Sequence, residues 1–343
     1  MDGKKIVTGL GETADAEPIE AAEIESRGPA GRPMERPMGR RWMLECMAWA
    51  GSGLLWTMAG GVPTATMLSA SARAADMAKD AKAFRFVQIS DTHIGFNKDA
   101  NPDVASTAKA AIDLVNANAA DAALVLHTGD VTHLSKPAEF DAAAEILKGI
   151  KISDFHAVPG EHDVLDDNKT AFLERYGQKS GGRGYYSFDH GGVHFVALVN
   201  VMDFASGGHG KLGPEQLEWL EADLKGKPTS QPLVLFTHIP LWSLYPQWGW
   251  STDDWPQAFD YVKRFGSVTV LNGHIHQVVQ KVEGNVRYYS ARSTAYPQPV
   301  AGQAAGPGPL KVPAEQLRSV LGIRSVEVMP QAGTLNVTDR ALA

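Results

Sequence analysis

The sequence predicts an α/β fold, and three observations carry that expectation. Between Phe84 and Val158, three β-rich runs alternate with two helical ones, the order that lays helices over a sheet. Beyond Gly184 the pattern turns to paired β-runs with one strong helix among them. The composition, 44% hydrophobic and 21% charged, is that of a globular chain able to bury a sizeable core. Its 343 residues suffice for two ordinary domains or one large α/β domain with insertions.

Phe84–Ser90 ("FRFVQIS") alternates weakly and is rich in β-formers, so it reads as a strand. Asp103–Asn118 is alanine-rich with apolar residues at helical spacing. Ala122–His127 ("AALVLH") reads as a short apolar strand, and Pro137–Lys148 as a helix opened by its proline. Phe155–Val158 is a third strand, ending in a Pro-Gly turn. "GYYSFDHGGVHFVALV" is two β-runs around His190-Gly191-Gly192, a hairpin. Pro214–Leu224 is an amphipathic helix and Pro232–Phe236 a buried strand, followed by the tryptophan-dense loop "LWSLYPQWGWSTDDW". Strands are expected at Val268–Leu271, Gln277–Val282 and Val286–Tyr289, then a Gly/Pro-rich loop, then a strand pair at Ile323–Met329 and Gly333–Val337. No repeat or long low-complexity tract is evident.

Residues 1–74 read as a targeting region rather than fold. Arg40 and Arg41 precede an apolar, glycine-rich run that ends in Ala72-Arg73-Ala74, the layout of a secretory signal whose paired arginines point to the twin-arginine (Tat) export machinery. Cleavage near Ala74 would leave residues 75–343 as a periplasmic or secreted domain with no stable membrane anchor. Glu45, Pro63 and the glycines disfavour a spanning helix. The acidic stretch before Arg40 is either a disordered extension or evidence that translation begins at Met34 or Met38. Removing 1–74 changes the net charge from -7 to about -6, which argues against a nucleic-acid duplex as partner. It also removes Cys46, the single cysteine, so the exported domain has no thiol for disulfide or metal.

The chemistry collects at strand ends. In chain order these carry Asp91 and His93 ("SDTHIG"), Asp130 ("TGDVTH"), Glu161, His162 and Asp163 ("PGEHD"), His238 ("FTHIP"), and His274 with His276 ("NGHIH"). Residues two apart in extended backbone point the same way, so Asp91/His93 and His274/His276 are each expected to grip one site. Several lie beside a glycine that permits close backbone approach. Carboxylate and imidazole without thiolate suit Mn, Fe or Zn, and the count exceeds the needs of one ion.

The ordered series "DTH", "GD", "GEHD", "H" and "GHIH" closely resembles the calcineurin-like metallophosphoesterases over about Phe84 to Tyr289. The resemblance implies two β-sheets flanked by helices, a four-layer α/β/β/α sandwich, with a two-metal centre at the strand ends. It implies that Asp91, His93, Asp130 and His276 hold one metal, that Asp130 bridges, and that Glu161, His238 and His274 complete the second site. It further implies His162 as the phosphate-contacting or leaving-group residue, Asp163 as its orienting partner, and in-line attack by a metal-bridging hydroxide on a small phosphoester.

Glu161 departs from the pattern, because the family carries asparagine there. Two divalent ions with three carboxylates leave a formal charge of about +1. A trivalent iron in a mixed-valence pair would restore charge; a site tuned to singly charged diesters would tolerate the loss; or the second ion is weak and the protein binds rather than cleaves. The expectation is ligation with activity retained and a preference for diesters, with a phosphomonoesterase on nucleotides or sugar phosphates, or a non-catalytic metal- or phosphate-binding protein, as alternatives.

Other residues are less specific. His133 lines the pocket or faces solvent at a helix entry, and His127 reads as packed. Trp242, Trp248, Trp250 and Trp255 form an aromatic lip over a flat substrate group or simply pack the loop. Arg183 and Arg292 are phosphate candidates by charge alone. His194 and His209 read as solvated or satisfied by hydrogen bonds.

Overall fold

A computed structural model of the chain describes residues 54–59, 62–67, 82–165, 169–202, 208–329 and 334–343. The chain divides into two units, Met1–Met67 and Leu68–Ala343. The described part of the first is an antiparallel hairpin of β1 (Leu54–Ala59) and β2 (Val62–Met67). The Arg40-Arg41 pair, Cys46 and the expected cleavage region at Ala74 lie outside the described residues. Among those described, no helix is long and apolar enough to cross a membrane.

The second unit begins with β3 (Phe84–Ile89), α1 (Val104–Asn118), β4 (Leu124–His127), α2 (Pro137–Leu147) and β5 (Phe155–Ala157). The chain then runs through α3 (Thr170–Tyr176), β6 (Tyr186–His190), β7 (Val193–Ala197), α4 (Pro214–Leu224), β8 (Leu233–Phe236), α5 (Trp255–Val262) and β9 (Val268–Asn272). It finishes with β10 (Val279–Glu283), β11 (Val286–Ser290), α6 (Ala314–Val320), β12 (Gly322–Met329) and β13 (Thr334–Ala341). One sheet has the order β13-β12-β3-β4-β5 and the other β10-β11-β9-β8-β7-β6. β3, β4 and β5 are parallel, as are β7, β8, β9 and β11.

Period-2 alternation explains the layering, since the inner strands are buried on both faces. Phe86, Leu124, Leu126, Phe195, Val234, Phe236 and Leu271 meet in one cluster between the sheets. Val87, Ile89 and Val125 face the other way, against Ala111 and Val115 of α1. Val196, Leu235 and Val270 pack on Leu217 and Leu220 of α4 and Ala258 and Val262 of α5. The result is the expected α/β/β/α sandwich.

Local signals account for the element boundaries. The Asp103 carboxylate accepts from the Ser106 amide at 3.0 Å and caps α1, while prolines open α2 and α4. The β6–β7 turn is Gly191-Gly192 with φ +55° and +82°, the left-handed pair that a two-residue hairpin requires. Three helices were not expected: α3, α5 and α6 have only 7, 8 and 7 residues, too few for periodicity to declare itself. The expected tryptophan loop accordingly ends one residue early, at Asp254, because Trp255 begins α5.

Candidate metal centre

The loops carrying Asp91, Asp130, Glu161, His238 and His274 follow β3, β4, β5, β8 and β9. These are carboxyl ends of parallel strands, where open α/β sheets build ligand sites. The backbone there is not extended. Asp91, His93, Asp130, His274 and His276 have φ of +54°, +43°, +52°, +68° and +54°, a left-handed region sparsely used outside glycine. This corrects the expectation that Asp91/His93 and His274/His276 pair by strand alternation. Asp91 and His93 do reach one group, but His274 and His276 diverge into two.

One group is Asp91, His93 and His276; the other is Glu161, His238 and His274; Asp130 lies within reach of both. In the first, His276 Nε2 is 3.2 Å from Asp91 Oδ1 and 3.3 Å from His93 Nε2. In the second, Glu161 Oε2 is 2.9 Å from His238 Nε2, and its Oε1 is 2.9 Å from His274 Nδ1. Asp130 Oδ2 stands 3.4 Å from His93 Nε2 and 3.3 Å from His238 Nε2. Donors sharing an ion at bond lengths of about 2.1 Å sit about 3.0–3.4 Å apart, so the spacing fits two ions with Asp130 between them. Asp91 Oδ2 is buried without a hydrogen-bond partner, and Glu161 Oε2, His238 Nε2 and His274 Nδ1 are buried with ion-pair contacts only to other members of the cluster. Such orphaned atoms are costly unless something charged completes them.

Electrostatics point the same way. Burial works against charge on Asp91, but His276 and His238 overcome it and lower its pKa to about 2. Burial likewise opposes ionisation of Glu161, yet His274 and His238 hold it well below the usual carboxylate range. Burial, then the neighbouring His162, His276 and His133, keep His93 neutral with its lone pair available. His238 is the converse: burial disfavours its charge, but Asp130 and Glu161 raise its proton affinity well above normal. Carboxylates that draw a proton into a buried pocket form a cation site.

The supporting contacts fix ring orientation. His238 Nδ1 donates to the Thr128 carbonyl at 2.7 Å, and His276 Nδ1 to that of Tyr296 at 2.6 Å; each leaves Nε2 aimed at the site. Gly160 and Gly273 are demanded by space, since an added Cβ would strike Asp130 at one and Ser90 with Asp91 at the other.

His162 and Asp163 do not form the expected pair. The Asp163 carboxylate accepts from the amides of Val131, Thr132 and Gly160 and from the Thr132 hydroxyl, so it clamps two ligand-bearing loops together. What orients His162 is the His133 carbonyl, to which Nδ1 donates at 2.7 Å. The His133 ring stacks on His162 at 4.8 Å, and its Nδ1 faces His93 Nδ1 at 3.4 Å.

A cavity of about 410 Å³ opens above this cluster. Its lining includes His133 and Trp248 as expected. Trp242 is a correction: it is 3% exposed and packs against Tyr288 in the core between sheet and helices, so it cannot meet substrate. Trp255 belongs to the same core, whereas Trp250, though buried, reaches the cavity. Arg183 covers Tyr185, and Arg292 donates to the Ser319 carbonyl; neither lines the cavity. His127 is packed, and His194 is held between Asp189 and Asp223. Sequence reasoning missed Tyr296, whose carbonyl orients His276, and Gln298, whose amide donates to the His274 carbonyl at 2.7 Å. Backbone acceptors and lone amides carry no motif that would have found them.

The family model for calcineurin-like phosphoesterases matches residues 84–278, more than half of the chain. A 3',5'-cyclic-nucleotide phosphodiesterase of Nostoc sp. is 29% identical over 178 residues, 50% of this chain and 63% of that protein. The probable glycerophosphodiester phosphodiesterase of Arcobacter nitrofigilis is 27% identical over 161 residues, 45% of this chain and 57% of that protein. The matches therefore span less than two thirds of either relative. Among solved structures, a dimetal phosphatase from Danio rerio has a TM-score of 0.58 at 14% identity, covering 76% of this chain and 96% of that one. That likeness bears on the fold alone.

Proposed function

Because the chain belongs to the calcineurin-like phosphoesterase family, we propose that it hydrolyses phosphodiesters with a dinuclear metal centre. The observation that carries the reading is the pair of ligand groups sharing Asp130, with buried donor atoms whose contacts are to one another alone and Asp91 Oδ2 left without a partner. Asp91, His93 and His276 would hold one ion, and Glu161, His238 and His274 the other, with Asp130 between. Bound ions would supply Lewis acidity at the phosphoryl oxygens and acidify a water for in-line attack on phosphorus.

The chain's own contribution is proton placement and orientation. His162 Nδ1 is committed to the His133 carbonyl, which leaves Nε2 free towards the cavity. A proton held at Nε2 can pass to the departing oxygen as the ester bond breaks. No covalent nucleophile is required, in keeping with a sequence whose one cysteine is Cys46.

Two considerations favour diesters. Three relatives are named as cyclic-nucleotide or probable glycerophosphodiester phosphodiesterases, against one named as a purple acid phosphatase. Glu161 also reduces the centre's formal charge with divalent ions to about +1, which suits a singly charged diester better than a dianionic monoester. Hydrolysis of bis(p-nitrophenyl) phosphate by manganese-reconstituted protein tests this. Chelator-sensitive turnover exceeding that of p-nitrophenyl phosphate is expected; turnover of the monoester alone contradicts it. We further propose Tat export, motivated by Arg40-Arg41 and the apolar run behind them. Changing both arginines to lysine should retain the protein inside a Tat-competent bacterial host, and unchanged export would refute that route.

A further inference from the structure

The floor of the cavity is charged, and among the described residues its walls are largely apolar. Above the ligand cluster stand Val164, Leu165, Met202, Trp248, Pro307 and Pro309. Leu165 is 56% exposed at this rim, and beside it Val164, Met202 and Trp248 are half-buried, so the apolar groups meet at the mouth of a concave site. The Trp248 ring is fixed by edge contacts to Trp250 at 5.1 Å and to Tyr245 at 5.3 Å, so it offers a pre-ordered apolar face at little entropic cost. Lys98 is the only lysine or arginine among the described lining residues. It is exposed, and a solvent-screened cation contributes little to holding a second phosphate. No carboxylate other than the proposed ligands lines the cavity among the described residues.

We propose that this wall selects phosphodiesters whose retained arm, the group not expelled, is apolar or aromatic, and rejects arms bearing a second phosphate. The proposal rests on the hydrolase reading and adds the chemistry of the substrate to it. An apolar arm is removed from water against the Leu165, Met202 and Trp248 side of the cavity, while the single phosphoryl charge stays on the floor. A second phosphate would have to lose its hydration beside apolar groups with Lys98 the one cation among the described lining residues to compensate.

The test holds the leaving group constant as p-nitrophenol and varies the retained arm: methyl, phenyl, or 2-phosphoethyl. With metal-reconstituted full chain, the phenyl ester should exceed the methyl ester in kcat/KM by at least about tenfold, mainly through KM. The phosphoethyl ester should do no better than the methyl. Trp248→Ala and, at an exposed position that does not threaten folding, Leu165→Ser should each draw the phenyl-to-methyl ratio towards one. Calorimetric binding of phenylphosphonate against methylphosphonate reads the wall without turnover, with the same preference expected. Equal binding of the two phosphonates, a phenyl-to-methyl ratio near one in the parent protein, or a preference for the phosphoethyl arm would overturn the proposal. Preferential binding of phenylphosphonate with no turnover of any ester would refute the hydrolase reading while sustaining the apolar wall.

Discussion

Asp163 shows how a motif residue acquires a role that its neighbours in sequence do not suggest. Its carboxylate gathers three backbone amides and one hydroxyl, tying the loop after β5 to the loop after β4. Asp163→Ala should cost about 2–4 kcal/mol, because several buried donors lose their acceptor at once; a thermal melt showing no loss would contradict the clamp. Gly160 is as constrained: Gly160→Ala would press a methyl group onto Asp130. Overpacking of this kind costs about 1–3 kcal/mol, and here the displaced group is a proposed ligand, so metal affinity should fall together with stability. The identities of Asp91, His93, Asp130 and the GHIH histidines were legible from the order of the motifs. Their left-handed backbone was not, because strand-end motifs read as extended and the strain is imposed by the assembled loops.

At the scale of elements, the loop between β8 and α5 shapes the substrate wall, and His209 fastens it. His209 Nδ1 lies 2.6 Å from the Asp253 carboxylate and Nε2 3.1 Å from the Pro246 carbonyl. Both partners accept, so only the imidazolium satisfies both. The hydrogen bonds to Asp253 and Pro246 raise its pKa. The fastening should therefore be complete below the unfolded value of about 6.5 and disappear as pH rises through the raised folded value. Hydrogen exchange at Gly249 to Asp253, corrected for intrinsic rates, should show protection falling with pH in the parent and little pH dependence in His209→Gln. The same slope in both proteins would exclude His209 as the fastener. The sequence marked this loop by its tryptophans but not which of them pack: Trp242 and Trp248 are six apart in one irregular segment, where no period assigns faces.

For the whole molecule, strand and helix alternation made the α/β class legible, and the motif series implied the sandwich. Local patterning alone could not pair β12 with β3 across more than 200 residues. Arg324 on β12 shows what that pairing accomplishes. Fully buried, it pairs with Asp339 of β13, donates to the Ser290 carbonyl of β11 at 2.9 Å and reaches Gln88 of β3 at 3.3 Å. It thus joins the two sheets beneath the loops that carry Asp91 and His274. Arg324→Ala, which strands these partners, should destabilise by about 3–5 kcal/mol and lower Tm by roughly 6–20 °C. A melting temperature within a degree or two of the parent would show that the sheets are held by apolar packing alone. The claim on which the function depends is that seven side chains from five loops form two ion sites sharing Asp130, with Glu161 a ligand in one. Counting ions bound per chain in metal-reconstituted protein, with Glu161→Ala measured alongside, tests it most directly. Two ions in the parent and one in the variant are expected; a single ion in the parent, or two retained without Glu161, would contradict the shared centre.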